Sequence, residues 1–186
     1  MNSPRRTRRL FVASGAALAA FAGATTIAVA AGSGAFSHPL TVPNGACSVP
    51  ALKGTVVTVT LTNMRSKMML GPRGGMMRLF VDRRSVPSGT VSFRVANAGT
   101  LAHELVVLPL PARVAVGERV LGSDDRVDET GSLGEASNTC GAGAGKGIEP
   151  GAMGWTTLHL ARGRYELVCN VAGHYAAGMH ALLVVS

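Results

Sequence analysis

Apolar and polar residues alternate along most of this chain with a period of two. Residues 90–97 (TVSFRVAN) are the clearest case, with Val91, Phe93 and Val95 on one face. Side chains of an extended strand point alternately to opposite faces, so this pattern predicts a strand with one face buried. Residues 55–61 (TVVTVTL) are rich in β-branched side chains. Residues 104–110 (ELVVLPL) form a continuous apolar run of the kind buried on both faces. Residues 155–160 (WTTLHL), 165–169 (YELVC) and 181–185 (ALLVV) complete the set. Turn-forming clusters separate them: PSG at 87–89, NAGT at 97–100 and RGR at 162–164. Six or seven short strands without a long helical period predict an all-β, Greek-key β-sandwich. Two stretches break the pattern: a Met, Gly and Arg segment at 64–78, and a long, polar, Gly-rich segment at 111–150. The second has room for a short helix or a strand pair, and the pattern does not choose. No internal repeat is present.

The first thirty residues follow a different rule. Paired arginines precede an Ala- and Gly-rich apolar run, and Thr7-Arg8-Arg9-Leu10-Phe11-Val12 resembles a twin-arginine export signal. Ala28-Val29-Ala30 suits a signal peptidase, and a retained anchor is the alternative. This divides the chain into a signal at 1–30, a lead segment at 31–45 and a folded domain at 46–186. That domain is expected outside the cytoplasm, in a periplasm or at a cell surface.

Composition narrows the class. The 186 residues are 47% apolar and 15% charged, the balance of a globular protein, with 24 Gly and only 4% aromatics. Four Arg in the signal account for half of the +8 net charge. Within the domain, residues 53–94 carry eight bases against Asp82 alone, whereas 118–135 is mostly acidic. A basic face of this kind is either solvated or a docking face for an acidic partner or an anionic membrane. Aromatics do not interleave with the bases, which argues against nucleic acid.

Cysteine, histidine and methionine carry the chemistry. Three cysteines in an exported protein leave one unpaired. Cys169 closes a strand and leads into CNVAGHYAAGM, in which His174 and Met179 follow at intervals of five. Cys169 therefore has a reason to stay reduced, leaving Cys47 and Cys140 to form a disulfide or to remain two separate buried thiols. A thiolate, two imidazoles and a distant thioether make up a mononuclear blue copper site. The second imidazole must come from elsewhere. His103, between NAGTLA and the ELVV strand, occupies a loop end at the corresponding pole of a sandwich.

NAGTLAHELVV and, about 65 residues on, CNVAGHYAAGM together resemble the cupredoxins. The Cys-x4-His-x4-Met spacing resembles that of the rusticyanin, auracyanin and especially the sulfocyanin-like group. The resemblance implies one type I copper held by His103, Cys169, His174 and Met179, with Met179 the weak axial ligand and His174 the solvent-edge one. It implies an electron carrier rather than an enzyme, a monomer serving redox proteins such as cytochromes or a membrane oxidase. Partners would dock at the edge of His174, over an apolar patch including Tyr175, Ala176 and Ala177. Several cupredoxins have Asn directly after the first ligand His, and here that position is Glu104, whose backbone N–H remains able to donate to Cys169. His38, His159 and His180 are not expected to be ligands.

Other readings fit less well. None of the five histidines forms the His-x-His pair expected of a multicopper enzyme, and a binuclear copper loop needs a second cysteine. CGAGAGKG at 140–147 lacks the first Gly and the final Ser/Thr of a phosphate loop. Met64, Met68, Met69, Met76 and Met77 suit either loop packing or Cu(I) delivery and storage, the alternative function.

Overall fold

The computed structural model describes residues 47–63 and 77–186. The export segment, the lead segment and nearly all of the Met-rich stretch lie outside the described residues. Nine strands follow in order: β1 (Thr55–Asn63), β2 (Met77–Val81), β3 (Ser85–Val86), β4 (Gly89–Asn97), β5 (Leu105–Pro109), β6 (Gly134–Ala136), β7 (Met153–Leu160), β8 (Gly163–Val168) and β9 (His180–Val185). One sheet has the order β2-β1-β4-β7 and the other β3-β9-β8-β5-β6. The described residues contain no helix, and the fold is the expected all-β sandwich.

The alternation explains the core. Val57, Val59 and Leu61 of β1 and Val91, Phe93 and Val95 of β4 are fully buried and meet Leu105, Val107, Leu167 and Leu183 of the facing sheet. Each such side chain contributes about 1.5–3 kcal/mol through removal from water. The unbroken apolar run of β5 has a separate cause. Its alternate residues Val106 and Leu108 face outward into a second cluster with Val127, Val168 and Tyr175. The long segment after β5 supplies Val127 and covers the outer face of this sheet. That segment holds β6 and isolated bridges such as Leu121↔Val127 and Asn138↔Gly147. Strands β2, β3 and β6 were not evident in the sequence pattern. Two or three residues cannot display a period, and β2 begins inside the Met-rich stretch.

Cys47 and Cys140, 93 residues apart, form a disulfide, while Cys169 is free and buried. The bridge joins the start of the described domain to the long segment. Nearby, the Cys140 N–H donates to the carbonyl of Met153 on β7.

Register brings the interesting loops to one pole. β8 is flanked by β5 and β9, with Val106 and His180 both opposite Val168. The residues just before β5, just after β8 and just before β9 are therefore neighbours. In the other sheet β1 and β4 run parallel, with Leu61 opposite Asn97, so Asn63 and Asn97 also end at one pole.

Candidate metal centre

His103, Cys169 and His174 converge there, all buried. His103 Nδ1 lies 3.1 Å from His174 Nδ1. Cys169 Sγ lies 3.8 Å from the first nitrogen and 3.3 Å from the second. A point equidistant from three atoms so separated is about 2 Å from each, close to metal–imidazole and metal–thiolate bond lengths. Met179 is fully buried in the same cluster as Cys169.

The loop from Cys169 to Met179 holds its shape through its own backbone. The Cys169 N–H donates to Met179 O at 3.0 Å, and the Met179 N–H donates to His174 O at 3.1 Å. The His174 N–H donates to Val171 O, and the Gly178 N–H to Tyr175 O. These bonds fold the loop into successive turns, and His174 Nδ1 comes to 3.3 Å from Cys169 Sγ.

His103 is held from three sides. Its backbone N–H and C=O pair with Ile148, at 3.1 and 2.6 Å. Its Nε2 lies 3.2 Å from Asn63 Oδ1. A carbonyl oxygen can only accept, so this contact sets the proton on Nε2 and leaves the Nδ1 lone pair facing the site. Asn63 Oδ1 also accepts from the Thr100 N–H, and Asn97 donates to the carbonyls of Leu101 and Ile148. Gly99 permits the crowding: a Cβ there would come within 2.1 Å of Asn63 Oδ1 and 2.9 Å of His103 Nε2. A side chain at that position displaces the group that orients His103.

The Glu104 N–H lies 3.4 Å from Cys169 Sγ and donates to it. The residue after Cys169 ties the metal loop to the long segment after β5. Buried Asn170 accepts from the Val127 N–H at 2.8 Å and donates to Val127 O and to Glu129 Oε1. Asn63, Gly99 and Asn170 escaped the sequence reading. Asn97 and Gly99 stood out only as turn formers, and Asn170 was visible only as the polar neighbour of a candidate ligand.

Burial governs the titration of the site. Desolvation, then repulsion from His174, pushes His103 down to about 4, and desolvation also lowers His174. Both imidazoles are neutral at pH 7, with lone pairs free for a metal. Burial pushes the Cys169 thiol up to about 11, against the pull of backbone N–H groups of Glu104 and Val171. Glu104 is raised to about 7, first by burial and then by the charges of Glu129 and Glu135.

Two expectations about neighbouring residues need separating. His159 is exposed on β7, and His180 lies against the Tyr175 ring at 5.1 Å, outside the donor cluster. Tyr175, however, is only 3% exposed and packs in the outer cluster, so it is not part of a surface patch. The expected patch therefore loses its tyrosine. The long segment after β5 closes over it. Ala176 is exposed, Ala177 half-buried and nearby Leu101 45% exposed.

One soft thiol, two neutral imidazoles and a buried thioether suit copper by donor chemistry: sulfur favours Cu(I), and imidazole serves both oxidation states. The family described as Sulfocyanin (SoxE) domain matches residues 53–186. Sulfocyanin of Sulfolobus acidocaldarius is 26% identical over 132 residues, which are 71% of this chain and 62% of that protein's length. Among solved structures, auracyanin from Roseiflexus castenholzii is 22% identical, with a TM-score of 0.43 over 73% of this chain and 98% of its own. Rusticyanin from Thiobacillus ferrooxidans is also 22% identical, with a TM-score of 0.39 over 72% of this chain and 79% of its own. With the family match spanning every strand of the sandwich, the chain belongs to the sulfocyanin family.

Proposed function

We propose that this protein is a one-electron carrier working outside the cytoplasm, in which His103, Cys169, His174 and Met179 would hold copper. The convergence of two imidazole nitrogens and one thiol sulfur within 3.8 Å, in a buried site, carries this reading. Copper bound there supplies one-electron exchange between its cupric and cuprous states. The chain's contribution is constancy. Asn63 orients His103, Glu104 N–H points at the Cys169 sulfur, and the folded loop places His174 and Met179. A donor set fixed by such contacts changes little between oxidation states, which keeps reorganisation small.

The deciding experiment is a visible spectrum of copper-loaded, oxidised protein beside Cys169→Ser. An intense thiolate-to-copper band is expected in the first and none in the second. A colourless protein that still binds Cu(I) would sink the carrier reading in favour of delivery or storage.

The domain at 46–186 would reach its compartment through the signal at 1–30 and exchange electrons with cytochromes or a membrane oxidase. His174 is 6% exposed, the edge through which a partner would gain access, with Ala176, Ala177 and Leu101 as candidate contacts. Ala176→Asp is expected to slow bimolecular electron exchange about tenfold while leaving the band unchanged. Stopped-flow kinetics with a soluble cytochrome c measure it, and an unaltered rate constant rejects this docking face.

A further inference from the structure

Glu166 is a fully buried carboxylate that the copper site does not use. It lies on β8, three residues before Cys169, and faces the outer cluster rather than the core. Its Oε1 accepts from the Gly117 N–H at 2.7 Å and from the Tyr175 hydroxyl at 3.0 Å. Its Oε2 accepts from Arg119 Nε at 2.6 Å. The Tyr175 oxygen in turn accepts from the Arg119 backbone N–H at 3.0 Å. One carboxylate thus joins β8, the long segment after β5 and the residue adjoining His174.

Burying such a charge is costly, and well-packed apolar residues often stabilise a fold as much or more. A stability role alone gives little reason for it. The geometry offers another. The loop after Cys169 is anchored at its start by Asn170 on Val127 and at its end by the Met179 backbone. Between these anchors, the Gly173 N–H donates to Asp125 O at 3.0 Å, and the Tyr175 hydroxyl is, among the described residues, the side-chain tether next to His174. The Tyr175 ring packs within the outer cluster and lies 5.1 Å from the His180 ring.

We propose that Glu166 and Tyr175 are positioning residues for the metal loop, their hydrogen bond holding His174 at the separation from His103 and Cys169 that copper requires. This rests on the copper reading above. Tyr175→Phe removes one hydroxyl and keeps the packed ring. It is expected to weaken Cu(I) binding about tenfold, the lower end for loss of a group supporting a ligand, and to shift the visible band and reduction potential. In metal-free protein, the amides of Ala177, Gly178 and Met179 should exchange with deuterium faster. Glu166→Asp, which keeps the charge and shortens its reach, should do the same, and serves if Tyr175→Phe does not fold. Wild-type affinity, band and loop exchange in a folded variant would overturn the positioning role, even with a lowered unfolding midpoint. A wild-type protein that takes up no copper would defeat the copper reading, and this role with it.

Discussion

Replacing Cys47 and Cys140 together by serine should lower the unfolding free energy of the metal-free protein by about 4–5 kcal/mol, given the chain entropy released on opening so long a loop. The bridge closes 93 residues of sequence, half the chain, and so restricts the unfolded ensemble strongly. Domains are typically stable by only about 5–15 kcal/mol, so this is a large part of the total. The effect should also reach the metal site. Cys140 belongs to the segment that leads to Ile148, whose backbone pairs with His103 on both sides. Denaturant titration of metal-free protein at fixed pH gives the loss directly. A loss under about 1 kcal/mol would mean that the packed segment restrains itself without the bridge.

Copper affinity should rise tenfold for each unit of pH from about 7 to 10, because one proton leaves as one thiolate is made. Cys169 sits near 11 in the metal-free fold, so it is a protonated thiol across this window. Both imidazoles are already neutral there, since burial lowers each of them. The total change over three units is about a thousandfold, or about 4 kcal/mol. Towards acid the slope should steepen, with His103 taking its proton near 4. Competition for Cu(I) against a chelator of known affinity, repeated across the range, measures the slope. A flat response would exclude the thiolate as a ligand. Without metal the same burial acts on the fold itself. The raised thiol favours the folded state below about 9, and that contribution is lost as pH rises through about 11.

The sandwich was legible because its strands are long enough to show a period. In β4, Val91, Phe93 and Val95 alternate, and all three are buried. The candidate metal loop was legible for a different reason: Cys169, His174 and Met179 lie within eleven consecutive residues, and the structure brings the first two to 3.3 Å. Tyr175 shows the limit. It was expected in a surface patch, but the segment that buries it begins more than fifty residues earlier.

The sequence by itself determined the period-two strands, the turns between them, and the local candidate set of Cys169, His174 and Met179, because each is written in residues close along the chain. Only the tertiary structure decided which distant groups serve that set. Asn63 reaches His103 across 40 residues, Asn170 reaches Val127 across 43, and Arg119 reaches Glu166 across 47. Such contacts depend on strand register and on the path of the long segment, which arise from burial summed over the whole domain and leave no local period to read.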